Sequence, residues 1–140
     1  MKFGKPLLAL ALLGLTTGIG PVGFAATKAK PAAVRLPGTY SNITYKDESG
    51  DLDGEEIRLF YTGESVLTAL VQITDSNAGE AALEPVIAKG NEVDLKFTKP
   101  LSGYVRIHGS VSQSGFEGEL FLPSGKSEKI KLKRGKSYWD

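Results

Sequence analysis

The densest run of chemically capable side chains is 47–56 (DESGDLDGEE), which holds six acids in ten residues. Its centre, Asp51-x-Asp53-Gly54, has the look of a carboxylate-rich cation loop. The helix-loop-helix calcium register fails, however: counted from Ser49 as position one, position twelve is Phe60, where a bidentate Glu is required. The run therefore reads as a solvated hairpin loop whose charges answer the lysines of 126–136, a stretch with six bases and one acid. Lys126, Lys129 and Lys131 are expected to face Asp47, Glu48 and Asp51 across the seam between the first and last strands. The other constellation is Tyr104, Arg106 and His108, alternate residues of one run and so on one face of a strand. They are the candidate ligand-binding residues, offering a hydroxyl, a cation and an imidazole as a small polar contact patch. His108 is the only histidine, which excludes sites that need two imidazoles. No G-x-S-x-G, phosphate-cradling Gly-rich loop, zinc-ligand spacing or paired hydrolytic carboxylates occur. No catalytic residue, metal site or cofactor is expected, and the chain does not read as an enzyme.

These residues sit on a chain of 140 residues, room for one domain. The N-terminus opens with Lys2 and Lys5, continues with an apolar run over 6–15, and closes on Gly23-Phe24-Ala25 with small residues where signal peptidase cuts. That three-part pattern predicts a secretory signal peptide at 1–25, hence an exported protein, periplasmic or secreted. The apolar run is about half of the ~20 residues a membrane span needs, so no stable membrane anchor is expected. Cleavage removes two lysines and no acids, taking the formal net charge from +1 to −1. A near-neutral domain has no global attraction for nucleic acid. No cysteine is present, so disulfides, thiol chemistry and a bacterial lipid anchor are all excluded. Asn42-Ile43-Thr44 matches the N-glycosylation pattern, which matters only in a eukaryotic secretory pathway.

Residues 26–37 are rich in Ala, Lys and Pro and read as a flexible linker. From Gly38 to the C-terminus, period-two runs alternate with turn residues: 39–45, 55–61, 65–74, 80–88, 92–97, 104–111, 116–122 and 127–134. Pro85 confines the fourth run to an edge or bulge. Short connections imply hairpins, and a sheet of about eight twisted strands with one apolar face closes to remove its edges. The expected fold of 38–140 is all-β, a single small antiparallel up-and-down β-barrel, with a β-sandwich as the alternative.

Gly38-Thr39-Tyr40 at the start and Leu132-Lys133-Arg134 at the end resemble the signature of the calycin group (lipocalins, fatty-acid-binding proteins, avidins), with Tyr in place of the usual Trp. The resemblance implies that an inward Arg134 packs on Tyr40 and shuts one end of the barrel. Trp139, the only tryptophan, is expected to fold back near Arg134 and complete that closure. The mature region as a whole is similar to small exported bacterial proteins of unassigned function. Ser102-Gly103-Tyr104-Val105-Arg106 is similar to the Ser-Gly-x-Arg-Tyr motif of bacterial periplasmic lysozyme inhibitors, with Tyr and Arg in the other order and without the cysteines those proteins usually carry. Two non-catalytic functions follow. One is an exported module taking a small or apolar ligand into a cavity lined by Leu67, Val71, Val93, Leu95 and Phe97. The other is a protein-interaction or inhibitor module with a filled barrel.

Overall fold

The computed structural model describes residues 32–63 and 65–140. The expected signal peptide and the first half of the linker lie outside the described residues. Ten strands follow in order: β1 Gly38–Ser41, β2 Thr44–Lys46, β3 Asp51–Thr62, β4 Val66–Asp75, β5 Ala81–Pro85, β6 Ile87–Lys89, β7 Glu92–Leu101, β8 Tyr104–Val111, β9 Gly115–Phe121 and β10 Ser127–Gly135. They form one antiparallel sheet in the order β5-β4-β3-β1-β10-β9-β8-β7-β6, with β2 also on β3. First and last strands are neighbours, Tyr40 opposite Arg134, and the sheet curls into a nearly closed barrel.

Ten strands take the place of the eight runs in the sequence because two runs are each divided. β1 and β2 keep one register against β3, Thr39 opposite Arg58 and Thr44 opposite Asp53. The acidic run is also less of a loop than its composition suggests. β3 begins at Asp51, and only 47–50 turn. The second division closes the barrel. Pro85 pairs with Thr68 on β4, whereas Ile87 pairs with Asp94 on β7. The chain changes neighbours across Val86, next to the proline that has no N–H to give a ladder.

Beside this handover β7 leaves register between Lys96 and Leu101. There a side chain replaces the backbone ladder between β5 and β7. Glu84, only 6% exposed, accepts the Thr98 N–H at 2.7 Å and the Thr98 hydroxyl at 2.9 Å. A buried carboxylate is tolerated when its oxygens are hydrogen-bonded in this way.

The inward faces meet in one core, which includes Tyr40, Ile57, Leu59, Leu67, Val71, Val93, Leu95, Phe97, Ile107, Phe116, Leu120 and Leu132. Gly109 and Gly118 face each other in β8 and β9. A Cβ on either would lie within 2.5 to 2.8 Å of the Phe116 ring tip, so only glycine lets that ring lie flat on the sheet. Residues 32–37 cross one end of the barrel, with Val34 and Leu36 packed against the core and the Leu36 carbonyl accepting the Tyr40 hydroxyl at 2.6 Å. The final six residues of the expected linker are thus fastened to the domain.

Candidate interaction surface

Alternation gives each strand one outward face, and the two halves of the barrel differ sharply there. On β7–β10 the outward residues form cross-strand rows of charge. Glu92, Ser110, Glu117 and Lys131 make one row, and Asp94, His108, Glu119 and Lys129 the next. Glu117 and Lys131 are joined at 2.6 Å. Arg106 holds Asp94 through both oxygens, at 2.7 and 3.1 Å, and its guanidinium lies 5.4 Å from the Phe121 ring centre. The Arg106 hydrogen bond keeps the Asp94 carboxyl below the usual carboxylate range.

On β3–β6 the pattern reverses. Leu70 and Leu83 share a row, Phe60, Thr68 and Pro85 the next, and Thr62 and Val66 a third, with Ile87 following Pro85. None of these side chains is charged. Phe60, Val66, Leu83 and Ile87 are 36%, 51%, 61% and 75% exposed, a contiguous apolar patch of the kind that marks interaction surfaces. This wall was not singled out in the sequence. The signal was present in 65–74, where both faces of the strand lack charge, a pattern that also suits a strand buried on both sides.

Arg58 stands at the wall's border, opposite Leu70, and is neutralised where it stands. Glu56, outward on the same strand yet only 3% exposed, accepts Arg58 Nε at 2.8 Å, the Ser137 hydroxyl at 2.6 Å and the Tyr138 N–H at 2.9 Å. Arg58 also donates to Ser137 and lies 3.6 Å from Asp140. Burial pushes the Glu56 carboxyl up, but hydrogen bonds from Ser137, Arg58, Tyr138 and Ser41 outweigh it and hold the group below its ordinary value. The C-terminal tail is therefore clasped to the outer wall. Its Tyr138 and Trp139 rings meet edge to face at 4.9 Å, and both are more than one-third exposed.

Of the closure residues, Tyr40 is fully buried, with the Arg134 guanidinium 5.3 Å from its ring centre. Arg134 donates to the Pro37 carbonyl at 2.6 Å and the Arg35 carbonyl at 2.8 Å. Burial raises the Tyr40 hydroxyl above its usual range, against the opposing pull of Arg134. Trp139 follows the clasped segment, with its N–H on Ser137 Oγ at 3.1 Å.

The side chains of the trio Tyr104, Arg106 and His108 end in different surroundings. Arg106 and His108 share the charged wall, whereas the Tyr104 hydroxyl donates to Glu128 at 2.5 Å. That contact pushes its pKa up to about 12, with burial and the Glu128 charge adding to it. Asp53, Glu55, Asp75 and Glu128 gather beside Tyr104 around a cavity of about 230 Å³. Burial raises the Glu55 carboxyl, assisted by the Glu128 and Asp53 charges. Asp53 is paired with Lys46 at 2.7 Å, so the acidic run finds its cation within its own hairpin. Among the described residues no group of three or more acidic or imidazole side chains is arranged to hold a metal, and His108 Nδ1 is the one buried side-chain polar atom without a partner.

No protein-family model matches the chain, and no match is found among curated proteins or solved structures.

Proposed function

We propose that this chain is an exported, non-catalytic binding module, a calycin-like barrel that engages a protein partner through the apolar patch on the outer wall of β3–β6. The observation that carries the reading is the exposure of Phe60, Val66, Leu83 and Ile87 on one outer face whose central residues, Thr68, Leu70 and Pro85, carry no charge. Large apolar side chains grouped on one outer face of an otherwise charged barrel are the kind of feature that marks an interaction site. The interior offers less. Leu67, Val71, Val93, Leu95 and Phe97, the residues of the expected ligand cavity, are all buried in mutual packing within the core. The Arg134 guanidinium 5.3 Å from the Tyr40 ring centre is the pairing that the calycin resemblance implies, and it supports that part of the reading. The lysozyme-inhibitor reading has weaker support, because Arg106 is taken up by Asp94 and Phe121 within its own wall.

The test is position-specific photo-crosslinking in the cell envelope of the native host, from Leu83 in the apolar patch and from Glu117 on the charged wall. Adducts of defined mass from position 83 and none from 117 are expected. Equal labelling from both, or native mass spectrometry showing a retained small molecule inside the purified chain, would refute the reading.

A further inference from the structure

We propose that the partner on this wall is a second copy of the same chain, so that two barrels pack β3–β6 against β3–β6 about a two-fold axis. The inference rests on the wall being the working surface and adds the identity of what covers it.

Charge is the first argument. The outward residues Val66, Thr68, Leu70, Leu83 and Pro85 at the centre of the patch carry no charge, so the patch is its own complement there, and two copies meet with few ions to desolvate. Of the ions at its border, Arg58 opposite Leu70 already has its partners in Glu56 and the tail, and Asp94 opposite Ile87 is held by Arg106. The opposite wall, with Asp94, Arg106, Glu117 and Lys131, would have to strip water from ions wherever it docked. An assembly through this patch alone is isologous and closes at two, because each copy has one such face to give.

Shape and area are the second. Neighbouring strands stand ~4.8 Å apart and same-face residues ~6.6 Å along a strand, so the eight outward positions of the patch cover on the order of 250 Å². Two sheets pack face to face at about 10 Å with interleaved side chains, which suits Phe60, Leu83 and Ile87 standing out from the wall. Stable interfaces bury ~800 Å² per partner. The wall supplies less than that, which places the pair among weak, concentration-dependent dimers.

The test is sedimentation equilibrium of the purified full chain across roughly 5 µM to 1 mM, the range in which weak pairs form. The weight-average mass should climb from one chain toward two. L83K/I87K should hold it at one chain throughout, and E119K on the charged wall should leave the climb unchanged. Because the chain has no cysteine, a single Leu83→Cys bearing pyrene gives a second readout, with excimer emission growing with concentration. A mass fixed at one chain up to the highest concentration, or a dimer indifferent to L83K/I87K, would overturn the inference. Should the chain stay single while position 83 still crosslinks to one foreign protein, the second copy is refuted and the working wall stands; if neither occurs, both fall.

Discussion

Cutting the chain after Lys136 removes the C-terminal clasp, and its cost can be worked from the contacts at Glu56. The truncation deletes two hydrogen bonds to a carboxylate, from the Ser137 hydroxyl at 2.6 Å and the Tyr138 N–H at 2.9 Å. Hydrogen bonds to charged groups contribute about 1.5–3 kcal/mol each. Part of that returns, because a carboxylate only 3% exposed under the tail becomes hydrated once the tail is gone, and Arg58 remains beside it at 2.8 Å. A net loss of about 2–3 kcal/mol follows, which for a domain of this size lowers Tm by about 10 °C. Thermal denaturation followed by circular dichroism at pH 7 reads it directly.

The same clasp carries a pH signature. The Glu56 carboxyl is held below its ordinary value in the fold, so the unfolded chain takes up its proton first as pH falls. The stabilisation is complete above the ordinary carboxyl range of ~4.3 and is lost as pH drops through the lower folded value. The Tm gap between full-length and truncated chains should therefore be constant from pH 7 to about 5 and narrow below 4. A truncated chain that melts within about 2 °C of the full one at pH 7 would show that the contacts at Glu56 do not hold the tail.

Two further perturbations probe the barrel. Glu84→Ala leaves the Thr98 N–H without its acceptor at the seam; it should cost about 2–4 kcal/mol in urea titrations and speed exchange of the Thr98 amide, with Glu84→Gln costing about half as much. Equal denaturation midpoints for the two variants would refute the carboxylate as the seam's fastening. Beside the acidic cavity, ultraviolet titration should find Tyr104 ionising at about 12, and Glu128→Gln should return it toward the ordinary value near ~10; an unchanged titration would remove Glu128 as the cause.

Much of the barrel is written in period-two runs. Val93, Leu95 and Phe97 alternate with Glu92, Asp94 and Lys96, and all three apolar residues are buried. Alternation is a local property of the strand, so the inward face is legible without knowing any neighbour. Parity also brought Tyr104, Arg106 and His108 to one face, yet it says nothing of where a side chain ends. The bulge between Lys96 and Leu101 lies beside the hairpin that carries Tyr104, whose hydroxyl lands on Glu128. The lysines of the last strand behave similarly. The sequence set them against the acidic hairpin across a seam, whereas the observed pair is Lys131 with Glu117 on the adjacent strand.

By itself the sequence determined that the domain is all-β, which side chains turn inward, and where the chain must turn, because these depend on residues a few positions apart. The tertiary structure alone decided that Glu56 and Glu84 are buried, that the tail clasps a wall, and that exposed apolar residues of β3, β4, β5 and β6 meet on one outer face. Each of those needs partners far along the chain, Ser137 for Glu56 and Thr98 for Glu84, and the register that unites them comes from the whole barrel closing at once.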